Sequence, residues 1–158
     1  MAGPVAKAAD PTDIRNWQRR SDVLTTSGRL SSQDPARLAA VGVRHVINLA
    51  LDDHPEALAE EARLMAEAGI AYTHIPVPFD APTSDHVSAM QDAMAAAEGP
   101  VHIHCIMNYR VSAFLYLNDC QSGIPSDQAH ATMAQIWDPF ASDQPLAKVW
   151  AEFLKDQT

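Results

Sequence analysis

Short apolar runs alternate with longer stretches of helical period along this chain, and the alternation sets the expected architecture. Residues 22–26 read as a first short strand, stopped by Ser27-Gly28. Ser32-Gln33-Asp34-Pro35 has the form of a helix start, a capping residue ahead of proline in the first turn, for a helix to Ala40 that stops at Gly42. Residues 43–50 (VRHVINLA) are almost continuously apolar, as for a parallel strand covered on both faces. Residues 55–68 place Leu58, Ala62 and Met65 at helical spacing before Gly69. A strand over 70–77, a loop over 78–83, and a helix from Ser84 to about Glu98 follow, closed by Gly99-Pro100. Residues 101–104 form the next strand. Residues 110–121 form a helix with Val111, Phe114 and Leu115 on one face, and helices over 126–136 and 144–155 complete the chain.

Strand–helix alternation of this kind predicts right-handed βαβ units and an α/β fold with a mainly parallel sheet of about four strands flanked by helices. Residues 1–12, rich in Ala and Pro and without period, are expected to be a loose N-terminal arm before a single domain over 13–158. In parallel sheets the ligand crevice opens at the carboxyl ends of the strands. Asp52, Asp53, Asp80 and Cys105 all fall just after predicted strands.

Composition narrows the class of partner. The net charge of −9 over 158 residues argues against non-specific nucleic-acid binding, while leaving room for a local positive pocket that takes a small anion. Two cysteines cannot build a disulfide framework, and no stretch approaches the roughly 20 apolar residues of a membrane helix. The opening segment also lacks the apolar core of a signal peptide, so the expectation is a cytoplasmic protein without a membrane partner.

The richest chemistry lies in Val101-His102-Ile103-His104-Cys105-Ile106-Met107-Asn108-Tyr109-Arg110-Val111-Ser112: a strand, a cysteine, a tight loop and a helix start. Amides at a helix N-terminus lack intrahelical partners, and the dipole there favours anions, the thiolate form of a cysteine among them. Ile106, Met107, Asn108, Tyr109 and Arg110 are therefore the candidate phosphate-binding loop, with Arg110 able to clamp phosphate through a planar, bidentate guanidinium. A thiolate attacking a phosphate monoester also needs an acid for the leaving oxygen. Asp80 is the candidate, with Asp85, Asp52 and Asp53 as rivals.

These residues resemble the cysteine-dependent tyrosine and dual-specificity phosphatase superfamily, especially its small bacterial members. The likeness runs from about residue 22 to residue 121, through TTSGRL, VINLA, HIPVPFDAPT, and VHIHC leading into RVSAF. It implies a phosphatase-like fold and hydrolysis through a cysteinyl-phosphate on Cys105, with Arg110 as clamp, Asp80 as acid and Ser112 as the hydroxyl that eases thiolate departure. The implied substrate is a phosphorylated small molecule or a phosphoprotein, with no metal or other cofactor. The family pattern has five residues between Cys and Arg, whereas here there are four, which puts Asn108 at the usual glycine and Val111 at the usual arginine. One helical residue is a turn of about 100°, so Arg110 serves the pocket only if the loop compensates. Cys, four residues, then Arg also resembles rhodanese-like sulfurtransferases, whose cysteine carries a persulfide. A non-catalytic phosphate-binding pseudophosphatase is the third reading.

Other residues read more plainly. His104 is expected to orient the loop by bonding backbone near the thiolate, and His102 shares its face with no further metal ligand spaced to match. Cys120 reads as packing, with a protective disulfide to Cys105 as the lesser alternative. Trp137 and Phe140 read as packing anchors around a turn at Asp138, in an order unlike the Trp-Pro-Asp loop of larger tyrosine phosphatases. Arg15, Arg19, Arg20 and Arg29 form the basic-rich region, read as a solvated face ahead of a substrate-recruiting patch.

Overall fold

The computed structural model describes residues 8–158, and the expected arm over 1–12 lies outside that span as far as residue 7. From Ala8 the chain is docked: the Ala8 amide donates to Ala40 O, and Asp10 pairs with Arg19 at 2.6 Å. Two short strands follow, β1 (Gln18–Ser21) and β2 (Leu24–Ser27), and then α1 (Asp34–Ala40). Next come β3 (His45–Asn48), α2 (Glu61–Glu67), β4 (Ala71–His74), α3 (Ser84–Ala96) and β5 (Val101–His104). Three helices end the chain: α4 (Tyr109–Gln121), α5 (Ser126–Ala134) and α6 (Ala147–Gln157).

The sheet has five strands in the order β1-β2-β5-β3-β4, parallel except for the β1–β2 hairpin. The expectation of about four strands missed β1, whose residues QRRS are polar and charged. It is an edge strand of alternating burial: Arg19 and Ser21 face water, while Gln18 is buried against Gln135 and Arg20 pairs with Asp119. Central β5 is buried at every position. Ser27, His104 and Asn48 stand level across β2, β5 and β3, so Gly28, Cys105 and Leu49 leave the sheet side by side.

The last helix starts at Ala147 rather than residue 144, and two other helix starts differ from expectation for a local reason. The helix expected from residue 55 begins at Glu61, because the Glu56 amide turns back onto His54 Nδ1 and Glu60 takes a left-handed conformation. α3 is capped by Thr83 rather than Ser84: Thr83 Oγ1 accepts from the His86 amide while the Thr83 amide donates to His86 Nδ1.

The larger core packs α4 and α6 against the sheet around Phe114, Trp150, Leu115 and Met133. Trp150 Nε1 donates to Phe79 O at 2.7 Å, and Trp137 stacks on Tyr109 with ring centroids 4.7 Å apart. Trp137 and Phe140 are thus packing anchors, and Asp138 accepts from the Phe140 amide as a turn residue. A second cluster, with Leu38, Val46 and Met65, fills the other face of the sheet.

Candidate active site

Cys105 leaves the end of β5 fully buried, and the loop 106–108 carries the chain to α4. The loop is pinned through its carbonyls. Arg29 N–H donates to Ile106 O at 2.9 Å, Asn16 Nδ2 to Met107 O at 2.8 Å, and His104 Nδ1 lies 3.2 Å from Cys105 O. A trans peptide directs its N–H opposite its C=O, so the amides of Ile106, Met107 and Asn108 point away from these anchors. None of the three has a main-chain acceptor among the described residues.

Asn108 closes the loop at φ 67°, in the left-handed region that suits Asn better than most side chains. Its Nδ2 donates to Asn16 O at 2.8 Å and to Thr26 Oγ1 at 2.9 Å, which holds the strained turn. Ser112 Oγ, fully buried, donates to Asn108 Oδ1 across a long 3.4 Å. Gly28 is required on steric grounds, since a Cβ there would stand 2.5 Å from Ile106 O.

The four-residue spacing still delivers Arg110 to the cysteine. Cys105, Ile106, Met107, Tyr109 and Arg110 line one cleft of about 310 Å³ with Leu51, His54 and Phe79. The Arg110 guanidinium lies 5.7 Å from the centre of the Phe79 ring, and its Nη1 donates to Val77 O at 2.8 Å. Its Nε is buried with no partner among the described residues. Val111, at the family's arginine position, is wholly within the core.

Asp80 is exposed on the loop one residue past Phe79 and does not line this cleft, nor do Asp52, Asp53 or Asp85. His54 does, with no strand or helix pattern to mark it beforehand. Its Nδ1 accepts from the Glu56 amide at 2.9 Å, which leaves Nε2 to carry the proton of the neutral ring.

Behind the cysteine lies a polar layer that the sequence marked only in part. His104 Nε2 donates to Glu61 Oε2 at 2.6 Å, and both side chains are almost wholly buried. Asn48 Nδ2 donates to Tyr72 OH at 3.0 Å; burial, then the neighbouring Glu61 charge, pushes Tyr72 up to about 12. His102 sits in a directed chain: Thr25 Oγ1 donates to Nδ1, Nε2 donates to Ser27 Oγ, and Ser27 Oγ donates to Gly28 O. Complete burial, and then the charge of His104, holds His102 well below its ordinary value and so neutral. Among the described residues no cluster of His, Cys, Asp or Glu is placed to hold a metal, and no helix is long and apolar enough to cross a membrane. Cys105 and Cys120 are both free.

A family model described as the phosphatase-like domain of beta-lactamase hydrolase-like protein matches residues 17–123. The chain belongs to this phosphatase-like family. A beta-lactamase hydrolase-like protein of Xylella fastidiosa is 31% identical over 103 residues, and its counterpart in Agrobacterium fabrum is 31% identical over 108. The chain spans about a quarter of the length of these curated relatives, 24% and 25%, and the matches cover 63% and 66% of this chain. A DUF442 phosphatase candidate from Shewanella putrefaciens CN-32 is 31% identical with a TM-score of 0.80, covering 93% of this chain and 91% of the other. P. aeruginosa TpbA, in a complex with pTyr, shares the fold at 22% identity and a TM-score of 0.69, over 94% of this chain and 87% of its own. So does the catalytic core of the S. cerevisiae PP-IP phosphatase Siw14, at 13% identity and a TM-score of 0.72, over 92% and 87% of the two chains. The phosphatase-like fold expected from the HIPVPFDAPT and VHIHC segments is therefore the fold of this domain.

Proposed function

We propose that the domain hydrolyses a phosphate monoester at the Cys105 cleft. One observation carries the reading: Cys105 and Arg110 line the same cleft, beside a loop whose carbonyls are all pinned on one side. Three amides turned from those anchors are donors for phosphoryl oxygens, and the Arg110 guanidinium adds the fixed cation that charge in the transition state requires. In the first step the Cys105 thiolate forms an S–P bond while the P–O ester bond breaks, and the leaving oxygen takes a proton. In the second, water attacks phosphorus, gives its proton to the now basic group, and the S–P bond breaks to release phosphate. Ser112, whose hydroxyl makes a long 3.4 Å bond to Asn108, is the hydroxyl assigned to the departing thiolate.

Asp80 is the acid that the family resemblance implies, and His54 is the imidazole in the cleft wall. Phe79, Tyr109, Leu51 and Met107 give the cleft apolar walls suited to an aryl leaving group, and the structure of the related TpbA with pTyr supports a phosphorylated aromatic substrate. A phosphorylated small molecule and a phosphoprotein are both compatible with a cleft of this size. A second reading, anion binding without turnover, draws on Arg110 giving Nη1 to Val77 O.

The test is steady-state hydrolysis of p-nitrophenyl phosphate by the wild type, Cys105→Ser, Arg110→Ala, Asp80→Asn and His54→Gln, with phosphate binding followed by calorimetry. The cysteinyl-phosphate reading expects no turnover by Cys105→Ser, and a loss of about 10²–10⁴-fold in kcat on removal of whichever group is the acid. Phosphate release that survives Cys105→Ser refutes it. Phosphate binding without turnover by the wild type establishes the binding-only reading, and sulfur transfer from thiosulfate to cyanide would install the sulfurtransferase instead.

A further inference from the structure

The four arginines near the N-terminus do not form one patch. Arg19 pairs with Asp10, and Arg20 reaches Asp119 at 3.0 Å. Arg15 and Arg29 stand beside the cysteine loop, and both bond one oxygen: Glu56 Oε2 lies 3.0 Å from Arg15 Nη2 and 3.0 Å from Arg29 Nε. Two guanidiniums that share a single carboxylate leave one positive charge unmatched, in a chain whose net charge is −9.

The backbone under this pair is built rather than incidental. The Gly28 amide donates to Arg15 O at 2.7 Å, the Arg29 amide donates to Ile106 O, and Gly28 lets the Arg15 stem and the Ile106 carbonyl approach together. Arg15 Nη1 also donates to Met107 Sδ at 3.3 Å, and Met107 lines the Cys105 cleft. On its other side the pair faces a cleft of about 360 Å³, where Gln33 adds a donor, Ser31 is already matched by Asp34, and Arg37 by Asp13 and Asp34. Side-chain exposures of 31% for Arg15, 50% for Arg29 and 38% for Glu56 leave all three open to a solute.

We infer that Arg15 and Arg29 form a second anion subsite on the rim of the Cys105 cleft, with Glu56 as its resident anion until a ligand displaces it. The inference rests on the reading of the cleft as a phosphate site, and it specifies the substrate class. The favoured ligand carries a second phosphate or carboxylate beside the phosphate held at Cys105. Glu56 shares a loop with Leu51 and His54, which line the cleft, so an arriving anion meets Glu56 at the edge of the site it enters. A fork-shaped guanidinium accepts a phosphate or carboxylate bidentately where Glu56 gives it one oxygen.

The test is calorimetric binding to Cys105→Ser, which holds a ligand without consuming it. The probes are a series of alkanediol bisphosphates of two to six carbons, each against its monophosphate, and phosphotyrosine peptides flanked by Glu or by Gln. At least one bisphosphate length or the Glu-flanked peptide is expected to bind tenfold or more tighter than its singly charged partner. The probe that gains identifies the source of the second anion. Arg15→Ala with Arg29→Ala should remove most of that preference. Glu56→Gln should strengthen the preferred ligand several-fold, and Glu60→Gln, which removes the same charge beside Arg63, should not. No preference for a second anion in either series overturns the subsite, as does an equal gain from Glu60→Gln. Failure of the monophosphates themselves to bind overturns the phosphate-site reading beneath it.

Discussion

Replacing Glu61 by alanine removes the only carboxylate facing His104 among the described residues, and the damage expected follows from burial. The His104 and Glu61 side chains are 3% and 5% exposed, so no water stands ready to replace the lost bond of 2.6 Å. An orphaned buried donor or acceptor costs about 1–3 kcal/mol. Asn48 keeps its bond to Tyr72 OH, so the damage stays local and about 3 kcal/mol is expected. Glu61→Gln retains an oxygen acceptor and should cost about 1 kcal/mol. Glu61→Leu combined with His104→Phe removes both partners and should recover most of the stability, a coupling of about 2 kcal/mol in a double-mutant cycle. Urea unfolding followed by the fluorescence of Trp17, Trp137 and Trp150 measures these three variants and the Glu61→Leu and His104→Phe singles that complete the cycle. At about 2–4 °C per kcal/mol for a domain of this size, Glu61→Ala should melt roughly 6–12 °C lower. A loss below about 0.5 kcal/mol for Glu61→Ala, or no coupling in the cycle, refutes the reasoning.

Three further outcomes are expected. Asn108→Gly relieves the left-handed backbone but gives up three side-chain bonds, to Asn16, Thr26 and Ser112, so it should destabilise by about 1–2 kcal/mol and weaken phosphate binding at least fivefold, read by denaturation and calorimetry. Gly28→Ala forces a methyl to within 2.5 Å of the Ile106 carbonyl, so it should shift the loop and abolish measurable phosphate binding, while Gly123→Ala, with open space around its Cβ position, should not. His102 is held neutral in the folded state while the unfolded chain takes a proton near the ordinary value of 6.5. Stability is therefore full above that pH and falls as pH drops below it, by up to about 1.4 kcal/mol per pH unit. Urea midpoints from pH 8 to pH 5 check this slope, which should flatten in His102→Gln.

How far the sequence could be read depended on whether a residue's role was local. Strand β5, Cys105 and the start of α4 are contiguous, so apolar run, cysteine and helix pattern all fell within one window. The order of strands and helices was legible for the same reason. Strand β1 was not, because an edge strand whose inward-facing residues are Gln and Arg has no apolar alternation to betray it. Helix α2 was drawn too long, since Leu58 fits the helical spacing while the turn at His54 and Glu56 depends on a side-chain bond that no periodicity shows. Of the site, Arg110 could be named as the cation near Cys105 although its spacing is one residue short, and its entry into the cleft rests on the Asn108 turn. His54, Glu61, Asn16 and Gly28 reach the site from separate segments. Only the fold brings them there.

The cysteine loop is fastened by partners far away along the chain: Asn16 bonds Met107 and Asn108 across separations of 91 and 92 residues. Contacts that span so much chain form only after the entropy of closing the intervening segment has been met, so they come late in folding. Strand β5 and helix α4 can be in place while residues 15–29 have still to dock. At that stage, with β1 and β2 still to pair, the molecule would show the native helical ellipticity, a thiol open to alkylation and no affinity for phosphate. Binding competence is thus the final event of assembly, and stopped-flow refolding in the presence of phosphate would record it as a phase slower than the gain of helix.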